Sequence, residues 1–331
     1  MCHACAARGL SIAAIPCGNA SDMRRKPMMA AIFLDCTDDM APLWAKILRP
    51  GDPEVAVNFS PGQPADIPAL LGGHDICIDD HSYFDADLLA RCTGLRRIVF
   101  LGTGASSFID LAAAERHGIA VDTIKGYGDT TVAEHTIALA MAAARDVARM
   151  DREVRAGGWR QIEGIQMLGK TLGIIGLGGI GKEVARIAQG LGMKVLAWNR
   201  SAIAAPPAPM VSLDEVLAQS DFLCVTLALT GATRRFIDAE KLRRTKPGVV
   251  FINTARADIV DNAALVELLR SGHVRHAAID VFSKEPPYAD DPLLALPNVT
   301  LTAHAGFMTP EATMTMLRRA MDLVIAAGSG G

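Results

Sequence analysis

A glycine fingerprint constrains this chain more than any other stretch. Gly176-Leu177-Gly178-Gly179-Ile180-Gly181 reads G-x-G-x-x-G. It follows an apolar run, Leu172 to Ile175, that reads as a strand. It opens a helical segment, Lys182 to Gln189, and a second strand follows at Lys194 to Trp198. Each glycine answers a separate demand. Gly176 lets the chain turn tightly out of the strand, Gly178 leaves room for a pyrophosphate against the backbone, and Gly181 lets the helix pack close to the strand. The helix N-terminus adds unpaired N–H groups and a partial positive charge. The strand-turn-helix frame implies dinucleotide binding rather than a merely tight turn.

At 331 residues the chain can hold two domains with full cores. Half of it is hydrophobic, yet no apolar run reaches membrane-spanning length. The net charge is −3 with no long basic run, which argues against nucleic acid and anionic membrane as partners. Seven cysteines are scattered, at 2, 5, 17, 36, 77, 92 and 224. The odd number suggests free thiols in a reducing cytoplasm. Cys2-His3-Ala4-Cys5 resembles half of a metal site, but no second pair completes it. Residues 1–27 are expected to form a disordered extension.

From Ala30 the pattern alternates strand and helix, which predicts a parallel α/β architecture. Short buried strands are expected at Ala31 to Leu34, Glu54 to Asn58, Asp75 to Ile78, Arg97 to Leu101 and Ile119 to Val121. Helices between them begin at Asp85 and Asp110, good N-caps. A long helix is expected from Thr131, with Thr131 and Glu134 as a capping box, to the stop signal Gly157-Gly158. Alternation then resumes through strands at Phe222 to Val225, Val249 to Asn253, Ala277 to Val281 and Val299 to Thr302. Ser212 and Glu215 form a second capping box. A last helix, Pro310 to Ile325, should pack back on the first domain. The expected division is residues 28–128 plus 306–331 around an inserted dinucleotide domain, residues 129–305. A cleft between two such domains suits a small substrate meeting a bound dinucleotide.

Several side chains can carry chemistry there. After the second fingerprint strand comes Asn199-Arg200-Ser201. An acidic residue at this strand end would favour NAD by bonding the ribose hydroxyls and repelling a 2′-phosphate. Asn199 lacks that charge, while Arg200 and Ser201 can hold the phosphate, so the sequence leans to NADP over NAD. Arg256, Glu285 and His304 each follow a parallel strand, on the edge where the glycine turn binds its ligand. Arg256 can clamp a carboxylate. His304 can protonate a developing alkoxide, and Glu285 can stabilise the resulting imidazolium and fix the ring's tautomer. His273 and His276, three apart beside Gly272, read as a surface turn rather than a metal site.

These motifs, in this order, resemble the D-isomer-specific 2-hydroxyacid dehydrogenase family. The likeness runs from Met28 onward. It rests on Val132-Ala133-Glu134-His135, Gly158-Trp159, the glycine fingerprint, Asn253-Thr254-Ala255-Arg256 with Val260-Asp261, Asp280-Val281-Phe282, Glu285-Pro286, Leu296-Pro297-Asn298-Val299 and His304-Ala305-Gly306. The resemblance implies a Rossmann dinucleotide-binding domain inserted in a flavodoxin-like substrate domain, with Arg256, Glu285 and His304 as the catalytic set. It implies that Gly179 and Ile180 amides meet the pyrophosphate and that Asp280 meets the nicotinamide amide. Thr131, Thr226, Leu227, Thr254, Ala255, Arg256, His304 and Gly306 would line the cofactor cleft. It also implies a homodimer paired through the cofactor domain.

The family's substrate carboxylate meets backbone amides, here in the loop Asp79 to Tyr83 and the turn Gly102-Thr103-Gly104. Asp79-Asp80-His81-Ser82 replaces the usual basic and small residues, and its two carboxylates argue against a phosphorylated substrate unless they point outward. His81, Thr103, Gly104 and Arg256 are the expected substrate contacts. The implied reaction interconverts a small 2-oxoacid and its D-2-hydroxyacid, with glyoxylate or hydroxypyruvate as the best guess. The rival reading is a dinucleotide-sensing, corepressor-like module with little turnover.

Overall fold

The structure, a computed structural model, describes residues 29–59 and 63–329. The expectations for Cys2, Cys5 and the extension up to residue 27 lie outside the described residues.

Two parallel sheets organise the chain. The first holds β1 (Ala31–Phe33), β2 (Val55–Val57), β3 (Ile76–Asp79), β4 (Arg97–Phe100) and β5 (Ala120–Thr123), in the order β2-β1-β3-β4-β5. Helices α1 (Ala41–Ile47), α2 (Ile67–Leu70), α3 (Ala86–Arg91) and α4 (Leu111–Arg116) connect them. Parallel neighbours need a crossover, and the intervening helices supply it while covering both faces. That is why β3 is buried at every residue despite ending in an aspartate. Asp85 and Asp110 cap α3 and α4 as expected, accepting from the Leu88 and Ala113 amides at 2.8 and 2.9 Å.

The second sheet follows two helices, α5 (Asp129–Ala144) and α6 (Val147–Arg155). Its strands are β6 (Thr171–Ile175), β7 (Lys194–Trp198), β8 (Phe222–Val225), β9 (Val249–Asn253), β10 (Val274–Ile279) and β11 (Val299–Leu301). Helices α7 (Gly179–Gly190), α8 (Leu213–Gln219), α9 (Ala239–Arg243) and α10 (Asn262–Ser271) lie between them. The order is β11-β10-β9-β8-β6-β7, so the fingerprint strand β6 sits between β7 and β8, where the direction of winding reverses. Met210 extends the edge by one parallel bridge to Ala197. Ser212 and Glu215 form the expected capping box on α8.

Helix α11 (Pro310–Ser329) returns to the first sheet. Its Met316, Leu317, Ala320, Met321 and Val324 join Phe33, Trp44, Ile78, Val99 and Leu101 in one buried cluster. Burying each large side chain is worth about 1.5–3 kcal/mol, so this helix is part of the first core. Arg318 adds a two-pronged pair to Asp52 at 2.6 and 3.2 Å.

Three expectations need correction. The single long helix is broken, because Asp146 adopts a left-handed conformation (φ 51°) between α5 and α6. Helical periodicity continues through this point, but the Ile165 amide caps the Ala144 carbonyl and Asp146 turns toward His276. Aspartate tolerates that backbone better than most residues. The Thr131–Glu134 capping box is absent, since α5 starts at Asp129 after Gly128 with no side-chain cap. Thr131 instead sets its hydroxyl 3.4 Å from that of Thr309. Finally, His276 is no surface residue: it is buried in β10 with Nε2 2.9 Å from the Thr300 hydroxyl. His273 bonds the Thr245 hydroxyl at 3.1 Å.

Among the described residues, Cys36, Cys77, Cys92 and Cys224 are buried free thiols. No described helix is long and apolar enough to cross a membrane.

Candidate active site

The fingerprint turn has the shape its glycines require. Gly176 has φ 106°, and a Cβ there would press on Leu227 and the Thr226 backbone at 3.0 Å. Thr226 donates its hydroxyl to the Gly176 carbonyl, which fixes the turn from β8. Gly181 lies so close to the Gly176 carbonyl that no Cβ fits. Around Gly178 nothing lies within 4 Å of a Cβ position, so the space over that backbone is open. Helix α7 has no side-chain cap, which leaves its first amides available to an anion. The residues therefore fit a dinucleotide pyrophosphate. One neighbour is unexpected: the Asp129 carboxylate fills the volume that a side chain on Gly179 would take.

The strand ends β9, β10 and β11 lie side by side and carry the three candidate catalytic residues. Arg256 follows β9. Asn253 frames its turn, accepting from the Ala255 amide and donating to the Arg256 carbonyl, both at 3.0 Å. The guanidinium reaches across the gap until Nη2 lies 3.3 Å from the Cβ position of Gly104, in the turn after β4. It makes no ion pair among the described residues, and its Nη1 donates to the adjacent Ala255 carbonyl at 2.7 Å. Thr254, expected in the cofactor cleft, turns its hydroxyl inward to Thr136 at 2.7 Å.

His304 and Glu285 meet: Nδ1 of the imidazole is 2.6 Å from Oε2 of the carboxylate. The other carboxylate oxygen accepts from the Phe282 amide at 2.9 Å, so Glu285 is itself held. Both side chains remain about one-third exposed, at 31% and 38%. His304 has φ 52°, an uncommon conformation for a non-glycine residue. Asp280 supports it. The Asp280 carbonyl accepts from the His304 amide at 2.8 Å, and its side chain accepts from the Ala305 and Gly306 amides at 2.9 and 3.0 Å. The Thr302 hydroxyl at 2.6 Å and His135 Nε2 at 3.3 Å complete the set. Burial alone would raise the Asp280 pKa, but hydrogen bonds from His135, Thr302 and the two amides hold it below the usual carboxylate range. Sequence reading expected Asp280 at the nicotinamide. In the structure this side chain is 1% exposed and braces the turn of His304.

On the opposite side of the gap, the loop after β3 hides its carboxylates. Asp79 is fully buried, and burial together with the nearby Asp35 charge pushes its pKa well up. Asp35 accepts from the Asp80 and His81 amides and the Ser82 hydroxyl at 2.8–2.9 Å. Asp80 pairs with His81 Nδ1 at 2.8 Å. Thr103 is exposed and Gly104 half-buried beside Arg256. Sequence reading missed Tyr127. Burial, then the Asp80 charge, push its phenol up to about 12 against the lowering pull of Arg256. Its placement depends on the turn into α5, which no local motif announces.

At the ribose end, Asn199 is already engaged. Its Oδ1 accepts from the Leu177 amide at 3.2 Å and its Nδ2 donates to the Ser201 carbonyl at 2.8 Å. Arg200 and Ser201 are exposed, and the Arg200 side chain has no hydrogen-bond or ion-pair partner among the described residues.

Fold and site together define a two-sheet α/β protein of the dinucleotide-binding kind, with an acid-backed histidine at the strand ends. The family model for the D-isomer specific 2-hydroxyacid dehydrogenase, NAD binding domain, matches residues 137–306. Glyoxylate reductase of Aeropyrum pernix is 37% identical over 259 residues, covering 74% of this chain and 77% of the relative. A D-3-phosphoglycerate dehydrogenase of Archaeoglobus fulgidus is 38% identical over 247 residues, 73% of this chain. The chain spans about half of that relative's length, since the match covers 47% of it. A solved glyoxylate reductase from Paecilomyes thermophila superimposes with a TM-score of 0.78 at 30% identity, covering 92% of this chain and 97% of the other. The chain belongs to the D-isomer specific 2-hydroxyacid dehydrogenase family.

Proposed function

We propose that this protein reduces a small 2-oxoacid to its D-2-hydroxyacid with a nicotinamide dinucleotide, glyoxylate and hydroxypyruvate being the favoured substrates. Residues 129–305 carry the cofactor, and residues 28–128 with 306–331 carry the substrate side. The observation that carries this reading is the held Glu285–His304 pair beside a guanidinium with no carboxylate partner among the described residues, all on the edge of the glycine turn. When bound, the nicotinamide supplies the hydride.

The chain's own residues supply placement and the proton. Arg256 pairs with the substrate carboxylate and so orients the adjacent ketone. Glu285 accepts the His304 Nδ1 proton, which leaves Nε2 to face the carbonyl oxygen. Protonated Nε2 donates as the oxygen gains negative charge, and the reverse transfer serves oxidation. The Thr103 and Gly104 amides add donors to the carboxylate.

NADP is the better fit of the two cofactors. Asn199 carries no charge and is already spoken for by Leu177 and Ser201, while Arg200 is free to meet a 2′-phosphate. The protein pairs with a second copy through α6 and its surroundings. No residue of α6 is buried, Val147 and Val154 are each 51% exposed, and Trp159 is 85% exposed.

The test is turnover of glyoxylate, hydroxypyruvate, pyruvate and longer 2-oxoacids with NADPH and with NADH. Consumption of NADPH over NADH with a short 2-oxoacid is expected. Oxidation of neither cofactor across the panel would overturn the reading in favour of a dinucleotide sensor.

A further inference from the structure

The loop after β3 builds a second acid-backed imidazole, on the far side of the gap from the first. His81 Nδ1 is committed to Asp80 at 2.8 Å, and Asp80 is 11% exposed while His81 is 55% exposed. That hydrogen bond, working against partial burial, raises the imidazole's pKa. Nε2 has no partner among the described residues. The ring is held edge-on to Phe108 at 5.0 Å and Phe100 at 6.5 Å. Phe100 in turn abuts Gly102, and the same turn carries Gly104 to the Arg256 guanidinium. Tyr127 feels both Asp80 and Arg256. His81 therefore borders the space that Arg256 faces, with Nε2 unpaired among the described residues and the ring held in place.

The charge of this loop limits what Nε2 can recognise. Asp80 sits beside the ring as its acidic partner. Asp35 adds a carboxylate beneath it, and burial pushes the Asp79 pKa well up. The loop thus offers a hydrogen-bonding nitrogen without a net positive charge. A phosphorylated tail, or a second carboxylate, would meet no surplus cation here. A neutral hydroxyl, which can donate or accept, suits such a nitrogen.

We propose that His81 is a specificity-determining residue that hydrogen-bonds through Nε2 to a hydroxyl on the carbon beside the ketone, selecting 3-hydroxy-2-oxoacids over their 3-deoxy analogues. This inference rests on the 2-oxoacid reductase reading above and narrows its substrate class. Asp80 acts as a positioning residue by holding Nδ1.

The experiment compares the full chain with His81→Phe, which keeps an aromatic ring against Phe108 but removes the hydrogen-bonding nitrogen, and His81→Gln, which keeps a hydrogen-bonding side chain. Values of kcat/KM are measured for hydroxypyruvate, pyruvate, glyoxylate and phosphohydroxypyruvate. The unaltered protein should prefer hydroxypyruvate over pyruvate and over the phosphorylated substrate. In His81→Phe the hydroxypyruvate-to-glyoxylate ratio should fall about ten- to a hundredfold, the range for removing one partner of a hydrogen bond, and His81→Gln should restore part of it. Glyoxylate has no third carbon, so it reports any general damage. A parallel fall for both substrates, an unmoved hydroxypyruvate-to-pyruvate ratio, or preference for the phosphorylated substrate would overturn the inference while leaving the reductase reading intact. Turnover of none of the four by the unaltered protein would overturn both.

Discussion

His304 Nδ1 lies 2.6 Å from Glu285 Oε2, and the second Glu285 oxygen is tied to the Phe282 amide. The carboxylate therefore points one way, and the imidazole can present only Nε2 to a substrate. His304→Ala should lower kcat by about 10²–10⁴, the usual contribution of a positioned general acid. Glu285→Gln keeps the shape and removes the charge, so a smaller loss is expected. Cofactor affinity, read by quenching of reduced-cofactor fluorescence, should hardly change in either. Full turnover by His304→Ala would remove the histidine from the mechanism.

Asp280 governs the backbone of the same histidine. Its side chain accepts from Ala305, Gly306, Thr302 and His135. Asp280→Ala leaves these buried donors unsatisfied, at a cost of about 1–3 kcal/mol for each group left unpaired. A lower melting temperature and a fall in kcat should appear together. Because hydrogen bonding depresses the Asp280 pKa, its stabilising effect is present above the ordinary aspartate pKa and is lost as the pH falls below it. Acid unfolding should begin at higher pH when Thr302→Val removes one of those bonds.

The Asp129 carboxylate against Gly179 places negative charge beside the first amides of α7. A pyrophosphate seeking those amides is repelled by it. Asp129→Asn should tighten cofactor binding several-fold at low salt and by less at high salt. Titration calorimetry at two ionic strengths would check this, and weaker binding would show that the carboxylate serves the turn instead.

His276 is held neutral in β10. Burial first, with Arg275, Arg152 and Arg149 assisting, pulls its pKa down to about 4, although Asp146 opposes them. The unfolded chain binds this proton near pH 6.5 and the folded chain only near 4. Stability is complete above pH 6.5 and is lost as the pH falls through that window. His276→Gln should flatten the dependence of melting temperature on pH between 6.5 and 4, and an unaltered slope would assign it to other groups.

Trp159, Val147 and Val154 leave more apolar surface in water than their neighbours need. Trp159→Glu should shift the protein toward monomer in light scattering behind a sizing column, with turnover per chain as a second readout. A monomer before substitution would refute the pairing.

Much of this site was legible in the chain, and the rest was hidden for identifiable reasons. Gly176, Gly178 and Gly181 could be read because each meets a backbone demand within one turn. Arg256, Glu285 and His304 could be read from their distance past apolar strands, which fixes the sheet edge they share. The bracing role of Asp280 could not be read because a strand-end position says nothing of side-chain direction, and the structure sends it to amides in the next turn. The break at Asp146 was invisible because the pull comes from His276, 130 residues further along the chain. Tyr127 and the Asp80–His81 pair needed the packing of separate loops before their roles took shape.

The return of α11 to the opening sheet has a consequence for synthesis. Five of its residues complete a core that begins at Ala31 and Phe33. A ribosome delivers those residues only after the whole fingerprint sheet has emerged. The segment made first thus waits, one greasy flank uncovered, while the segment made second can already settle. Interruption before residue 316 would leave an assembled dinucleotide module tethered to an unfinished and aggregation-prone partner.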